Sequence, residues 1–196
     1  MEHIYKEKEK GAPVFVLLHG TGGNEKDLLP IAEEINPNYN QLGIRGNVNE
    51  NGMNRFFKRH GEGQYDWEDL ANRSDELYQF ILEMSKEYDF NMDDLILLGF
   101  SNGSNIATQM ILEKGDVFKK ALLFAPMYPK NPEEMPDLEE TEIFLSLGKN
   151  DPIVEESESQ RLIDIFEKRK AEVTVVWGEG HRISPNTLME AKNWLK

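Results

Sequence analysis

Five short runs of apolar residues, separated by longer stretches of mixed character, constrain the fold of this chain more than any other feature. The runs occupy residues 14–18, 95–98, 121–124, 143–147 and 173–177. Each is bounded by Gly, Pro, Asn or Asp, which is typical of central strands in a parallel sheet that is buried on both faces. A weaker strand is predicted near residues 42–45.

Amphipathic stretches fill the gaps between these runs and predict helices. Residues 67–88 place apolar side chains at helical spacing, and further helices are predicted after residue 101 to about residue 113 and over residues 157–170. Asp27 is a candidate N-cap for a helix that ends near Ile35, and Ser184 followed by Pro185 is typical of a helix start. Strands that alternate with helices indicate a parallel sheet covered on both faces.

Composition restricts the class of partner. The length of 196 residues suits a single domain over 1–196, and the absence of cysteine excludes disulfides, thiolate metal sites and a cysteine nucleophile. With 36 acidic and 22 basic side chains, the net charge of −14 disfavours binding to nucleic acid or to an anionic membrane surface. Because no apolar stretch has the length of a signal peptide core or a membrane helix, we expect a cytoplasmic protein.

One pentapeptide, Gly99-Phe100-Ser101-Asn102-Gly103, lies between a predicted strand and a predicted helix. A turn this tight forces its central residue into a strained backbone conformation, which requires glycine two residues to either side. The serine hydroxyl then projects from the sheet at the positive end of the following helix. An ordinary glycine-rich turn is the alternative, but the context predicts that Ser101 is a nucleophile.

A serine hydroxyl needs an adjacent base to act as a nucleophile at neutral pH, and the chain has four histidines. When a serine occupies such a strand-to-helix turn, a carboxylate and then the base follow it along the chain. Only His181, which ends the segment Gly178-Glu179-Gly180-His181, comes after Ser101. We therefore expect His181 to be the base.

The carboxylate that orients this imidazole is predicted to be Asp151. It lies in Gly148-Lys149-Asn150-Asp151-Pro152, directly after the predicted strand 143–147 and at the sheet edge that carries the serine and the histidine. Asp164 and the acidic residues in 155–158 belong to a helix or its start and should face water. A solvated loop position is the ordinary alternative for Asp151 itself.

A glycine-rich turn, residues 19–24, follows the first central strand. The negative charge that develops on an attacked carbonyl oxygen needs N–H donors, which we expect from the backbone of Asn102 and of Thr21. Gly22 lets the backbone approach a bound substrate closely. A phosphate cradle is the alternative, but no Gly-Lys-Ser/Thr follows the turn and the Gly-x-Gly-x-x-Gly spacing is absent.

Residues 46–66 form the least regular segment of the chain. They are polar and rich in Gly and Asn, yet they contain Phe56 and Phe57. Irregular segments of about 20 residues are uncommon and often functional. Two interpretations stay open: a wall of the substrate pocket to which Phe56 and Phe57 add apolar surface, or a surface meander that the two rings hold down. Arg55 is a candidate to anchor the segment through a carboxylate.

These pieces together resemble the carboxylesterase/phospholipase family of α/β-hydrolases, to which the acyl-protein thioesterases are related. The matching segments are residues 18–25, 99–103, 148–154 and 180–181, which span nearly the whole chain in the order of the family. Residues 45–57 are similar to a bacterial branch of small esterases. Acyl-protein thioesterases usually carry Gln at the position of Asn102, and this departure counts against a protein-thioesterase role.

The motifs and the resemblance imply a minimal α/β-hydrolase fold: a mostly parallel sheet of six or seven strands with helices on both faces. No lid domain is expected, because only about 18 residues separate the strand ending near residue 124 from the next. The implied reaction is hydrolysis of carboxylic esters of small or medium acyl chain through an acyl-serine intermediate, with no metal or organic cofactor.

Two kinds of alternative function stay open. Among enzymes, a thioesterase or a lysophospholipase-type hydrolase would use the same three residues. Outside enzymes, a hydrolase-like binding or receptor protein would have no reason to keep all three. The expected partner is a small-molecule ester, with no nucleic acid and no membrane, and the formation of a homodimer stays open.

Overall fold

The computed structural model describes residues 1–132 and 134–196. The strands are β1 (His3–Lys6), β2 (Val14–Leu18), β3 (Asn40–Ile44), β4 (Val48–Glu50), β5 (Met53–Arg55), β6 (Arg59–Gly61), β7 (Gln64–Tyr65), β8 (Leu95–Phe100), β9 (Lys120–Phe124), β10 (Glu142–Lys149) and β11 (Glu172–Glu179). The helices are α1 (Leu29–Ile35), α2 (Trp67–Glu87), α3 (Asn102–Lys114), α4 (Glu156–Lys168) and α5 (Pro185–Trp194). Single 3-10 turns, Met92–Asp94 and Gly115–Val117, precede β8 and β9.

Seven of the strands form one central sheet in the order β1-β3-β2-β8-β9-β10-β11. Neighbouring strands are parallel except at one edge, where β1 runs antiparallel to β3. The five predicted central strands are all present, and the weaker prediction near residues 42–45 corresponds to β3. The prediction of a mostly parallel sheet of six or seven strands is therefore confirmed.

The side chains of β2 alternate between two hydrophobic cores, one on each face of the sheet. Val14, Val16 and Leu18 belong to the core that α2, α3 and α4 share, whereas Phe15 and Leu17 pack with α1 and α5. All five are buried. Burial on both faces explains why the central strands are continuous apolar runs, and it confirms helices on both faces of the sheet.

The start of one helix agrees with its prediction and the start of another does not. Helix α5 begins at Pro185 with Ser184 as its N-cap, as predicted. Helix α1 begins at Leu29, and its N-cap residue, Leu28, makes no side-chain capping bond. Asp27 lies in the preceding turn, where its carboxylate accepts a hydrogen bond from a backbone N–H. The prediction of Asp27 as the N-cap is therefore wrong.

Strand β1 has no predicted counterpart. It lies at the edge of the sheet, and its burial pattern is three half-buried residues followed by one exposed residue. An edge strand of this kind lacks the continuous apolar run by which a central parallel strand is recognised.

Residues 46–66, called the arm below, are more regular than expected. Strands β4 and β5 form one short antiparallel pair, and β6 and β7 form a second. Phe56 and Phe57 lie between the two pairs, and their side chains are 1% and 0% exposed in the core that contains α2. The two rings therefore tether the arm, in agreement with the second of the two interpretations. The rings are buried because the two hairpins on either side hold this part of the arm against the core, where apolar side chains are removed from water.

The connection from β9 to β10 is short. In its described residues, 125–132 and 134–141, the chain forms neither helix nor strand, so no lid domain is present in that part. In the described ranges, no helix combines the length and the apolar character that a membrane crossing requires.

Candidate active site

The carboxyl ends of the parallel strands meet at one edge of the sheet, and the predicted site residues lie on the loops that leave this edge. Thr21 follows β2, Ser101 follows β8, Asp151 follows β10 and His181 follows β11. Residues far apart in sequence are brought together because parallel strands all end on the same side. This edge is the usual position of ligand sites in α/β folds.

The turn between β8 and α3 has the geometry that its glycines predict. Ser101 has φ 50° and ψ −115°, a left-handed backbone conformation that is strained for a residue with a side chain. A Cβ at Gly99 would lie 2.7 Å from the backbone nitrogen of Ser104, and one at Gly103 would overlap the carbonyl oxygen of Leu18. The close contact of turn, helix and strand therefore requires both glycines.

Ser101, His181 and Asp151 form one continuous chain of hydrogen bonds. The Nε2 atom of His181 lies 2.8 Å from the Oγ atom of Ser101, and its Nδ1 atom lies 2.8 Å from Oδ2 of Asp151. A carboxylate can only accept, so the proton of the imidazole lies on Nδ1, and Nε2 accepts from the serine hydroxyl. The arrangement leaves the imidazole ready to take the serine proton.

The Asp151 carboxylate is itself held in place. Its side chain is 1% exposed, and its Oδ1 atom accepts hydrogen bonds from the backbone N–H groups of Ile153 (2.8 Å) and Val154 (3.0 Å). The loops on which Asp151 and His181 lie are also joined, since the N–H of Gly180 donates to the carbonyl of Lys149 at 2.7 Å. The orientation of the histidine is thus fixed by backbone as well as by side chains.

The N–H groups of Thr21 and Asn102, the predicted oxyanion donors, have no protein acceptor among the described residues. Gly22 differs from them, because its N–H donates to the carbonyl of Asn54 at 2.8 Å. Gly22 is also not among the residues that line the cavity at Ser101. That the Gly22 backbone approaches a bound substrate stays a prediction; in this conformation its N–H holds the arm instead.

The arm fixes the side chains of both predicted oxyanion-donor residues, Thr21 and Asn102. Arg55 donates from Nη1 to the hydroxyl of Thr21 at 2.6 Å, and the N–H of Phe56 donates to Oδ1 of Asn102 at 2.8 Å. The Phe56 contact determines which way the Asn102 amide faces, because only its oxygen can accept. The arm therefore serves the site through polar contacts with Thr21 and Asn102.

A cavity of about 360 Å³ opens beside Ser101. Its lining includes Ser101, His181, Thr21, Asn102 and Arg55. The other lining residues are Met53, Arg59, Glu62, Gly63, Tyr65, Phe100, Asn105, Met127 and Ile153. Phe56 and Phe57 are not among the lining residues, and both are buried in the core. The arm does wall the cavity, as the first interpretation expects, but Phe56 and Phe57 add no apolar surface to it; the arm residues that line it are Met53, Arg55, Arg59, Glu62, Gly63 and Tyr65.

Two apolar lining residues, Met127 and Ile153, were not predicted, although their positions after strands of the sheet could have indicated them. Met127 follows β9 and Ile153 follows β10, so both leave the sheet at the same edge as Ser101. Arg55 and Arg59 could not be found in this way. They line the cavity because the arm packs against the residues that follow β2 and β8, through the contacts of Arg55 with Thr21 and of Phe56 with Asn102.

Two of the other histidines, His19 and His60, have partners other than Ser101. The Nδ1 atom of His19 donates to the carbonyl of Gly20 (2.6 Å), and its Nε2 atom accepts from the N–H of Gly46 (3.0 Å). Burial lowers the pKa of the His19 imidazole, which is therefore neutral at physiological pH. His60 is 70% exposed and lies 3.9 Å from Asp66. No group of three His, Asp or Glu side chains in the described ranges could hold a metal ion.

A mostly parallel sheet with helices on both faces and a strained serine turn at its carboxyl edge defines the class of protein as an α/β-hydrolase. The sequence model of the phospholipase/carboxylesterase family matches residues 1–196, and the chain belongs to that family. It is an esterase-type hydrolase, as its relatives also indicate.

Three relatives illustrate this similarity. The hydrolase MhqD of Bacillus subtilis (strain 168) is 42% identical, over 100% of this chain and 98% of the relative. The crystal structure of the Bacillus cereus carboxylesterase superposes with a TM-score of 0.96 at 41% identity, over 99% of this chain and 92% of that one. The structure of YahD with malic acid has a TM-score of 0.94 at 32% identity, over 99% and 97% of the two chains.

Proposed function

We propose that this esterase-type hydrolase is a serine enzyme that cleaves carboxylic esters of small or medium acyl chain through an acyl-serine intermediate. Ser101 is the nucleophile, His181 the general base and then acid, and Asp151 the carboxylate that orients the imidazole. The observation that carries this proposal is the unbroken chain of hydrogen bonds from Asp151 through His181 to Ser101.

In the first half of the proposed reaction, His181 takes the hydroxyl proton of Ser101 while the serine oxygen attacks the ester carbonyl carbon. The N–H groups of Thr21 and Asn102 stabilise the negative charge that develops on the carbonyl oxygen. The protonated imidazole, stabilised by Asp151, then gives its proton to the leaving alcohol as the carbon–oxygen bond of the ester breaks. The product of this half is an acyl ester of Ser101.

In the second half, a water molecule replaces the alcohol. His181 takes one proton from the water as its oxygen attacks the acyl carbon, and the same two N–H groups stabilise the charge again. The proton then passes to the oxygen of Ser101, the acyl–serine bond breaks, and the carboxylic acid leaves. The enzyme returns to its starting state, so no net proton remains on the imidazole.

The dimensions of the cavity support a small or medium substrate. Its volume of about 360 Å³ lies near the lower end of the range of small-molecule sites, roughly 300–1,000 Å³. Met53, Phe100, Met127 and Ile153 provide apolar surface for an acyl chain. The relative YahD has been solved with malic acid, a molecule that such a cavity would accommodate.

The test is a rate profile over p-nitrophenyl esters with acyl chains of two to twelve carbons, together with the matching thioesters. The proposal predicts kcat/KM values that peak at short or medium chains and exceed those of the thioesters. In Ser101→Ala, kcat should fall by about four to six orders of magnitude. A variant that keeps a tenth of the wild-type rate would rule out Ser101 as the nucleophile, and a preference for thioesters would make the chain a thioesterase.

A further inference from the structure

The cavity beside Ser101 contains a concentration of positive charge that the rest of the molecule does not lead one to expect. The chain carries a net charge of −14, yet Arg55 and Arg59 both line this cavity. The Arg55 side chain is 3% exposed and that of Arg59 is 24% exposed. A guanidinium group keeps its charge in proteins, so two cations face one small site.

Glu50 is the carboxylate closest to both guanidinium groups. Glu50 accepts from Nε of Arg59 at 3.2 and 3.3 Å and from its Nη2 at 3.0 Å. The same Glu50 is the nearest carboxylate to Arg55, at 3.9 Å from Nη1. The hydrogen bonds of Arg55 go instead to neutral oxygens, the Thr21 hydroxyl at 2.6 Å and the Phe57 carbonyl at 3.3 Å.

The buried cation is therefore incompletely compensated. Burial, with the like charge of Arg59 beside it, lowers the pKa of the Arg55 guanidinium. A buried charge is costly unless it is paired, and a second carboxylate in the cavity would reduce that cost. A carboxylate bound at this end of the cavity would therefore compensate the Arg55 charge, with which no protein carboxylate forms a hydrogen bond in the described ranges.

Arg59 has donors left with which to bind such an anion. Its Nε and Nη2 atoms are engaged with Glu50, but none of the hydrogen bonds in the described ranges uses its Nη1 atom. The nearest other carboxylate is that of Glu62, which is 65% exposed and lies 4.0 Å from Nη1, beyond hydrogen-bond distance. Glu62 also lines the cavity, so it competes for Arg59 with any bound carboxylate.

We propose that the preferred ester carries a free carboxylate, which Arg59 binds directly and Arg55 attracts from behind the oxyanion-donor residue Thr21. This inference rests on the proposed function, because it names the class of ester that the Ser101 site takes. The carboxylate has two sources: the far end of a dicarboxylic acid whose other end is esterified, or the alcohol part of an esterified hydroxy acid.

The test compares each charged ester with an uncharged analogue of the same shape. On the acyl side the pair is monoethyl glutarate and ethyl glutaramate. On the alcohol side it is the butanoyl ester of 3-hydroxypropanoic acid and of its amide. The charge preference is the ratio of kcat/KM for the carboxylate to kcat/KM for the amide. We expect wild-type enzyme to show a preference of at least about tenfold in one pair, which identifies the source.

Three variants separate direct binding from a general electrostatic effect. Arg59→Gln should lower the charge preference well below its wild-type value, because the hydrogen-bonding cation is lost and only the attraction of Arg55 remains. Glu62→Gln should raise it, because the competing carboxylate is gone. Lys58→Gln is the matched control: it removes the same charge from the adjacent position, but Lys58 is 60% exposed and does not line the cavity, so the preference should stay at its wild-type value.

The outcomes distinguish this inference from the proposed function. Activity on neutral esters with a charge preference near one in both pairs overturns the inference and leaves the serine esterase intact. No activity on any ester overturns both. An equal drop in Arg59→Gln and Lys58→Gln would assign the effect to the field of the arm and overturn direct binding by Arg59. If Arg59→Gln does not fold, the rise or its absence in Glu62→Gln decides.

Discussion

Three side chains, from Ser101, His181 and Asp151, carry the proposed chemistry at the scale of single residues, and they act as one unit. His181→Ala should lower kcat by about 10⁶-fold, because the serine loses its base. Asp151→Asn should cost less, about 10⁴-fold, because the carboxylate orients the imidazole and stabilises its charge without contacting the substrate. Steady-state rates on a p-nitrophenyl ester measure both.

The matched control for these variants is His60→Ala. His60 is 70% exposed, and its neighbouring acid is Asp66 at 3.9 Å, so the rate should stay near that of the wild type. A severe loss in His60→Ala together with a mild loss in His181→Ala would show that the base is misassigned.

His19 predicts a dependence of stability on pH. Burial lowers the pKa of its imidazole in the folded state, so the unfolded chain binds the proton more readily below about pH 6.5. The stabilisation from neutral His19 is therefore present above that pH and is lost as the pH falls through the lower, folded value. Urea unfolding at about pH 7.5 and pH 5.5 should show a smaller loss in His19→Gln than in wild type.

The pH test of His19 has a simple contrary result. His19→Gln removes the titrating group but keeps a donor and an acceptor for Gly20 and Gly46. If the variant loses as much stability as the wild type between the two pH values, other groups cause the dependence and His19 does not.

At the scale of elements, the buried rings of the arm contribute to stability, whereas the loop after β10 contributes to specificity through Ile153. Phe57→Ala should lower the free energy of unfolding by about 3–5 kcal/mol, because it leaves a cavity around a fully buried ring. Ile153 is 40% exposed and lines the cavity, so Ile153→Ala should cost little stability but move the acyl preference toward longer chains. Urea unfolding and the p-nitrophenyl ester profile measure the two effects. A changed chain-length preference in Phe57→Ala alone would place the pocket wall at Phe57 after all.

The elements differ in how far the sequence predicts them, and the reason is burial. Strand β2 is buried on both faces, so its continuous apolar run predicts its bounds without error. The pairs β4–β5 and β6–β7 are only two or three residues long and mostly polar, so no periodicity marks them. Phe56 and Phe57 are buried by the fold of those pairs, which explains why their position was open from the sequence.

At the scale of the whole molecule, the parallel sheet makes the site predictable in part. Ser101, Asp151 and His181 each follow a strand that ends at the same edge, so their proximity follows from the order of the strands. The contact of Arg55 with the Thr21 hydroxyl joins residues 34 positions apart through the path of the arm. No local pattern encodes that path, and the basic side of the cavity therefore emerged only from the structure.

Covalent labelling with a fluorophosphonate, read by intact-protein and peptide mass spectrometry, tests most directly whether Ser101 is an activated nucleophile. The reagent reacts with a serine that an adjacent base activates. We predict a single adduct on Ser101, absent from Ser101→Ala and strongly slowed in His181→Ala, with esterase activity lost in step with labelling. Full esterase activity in a protein that takes up no label, or an adduct on another residue while Ser101 stays free, would contradict the assignment of Ser101 as the nucleophile.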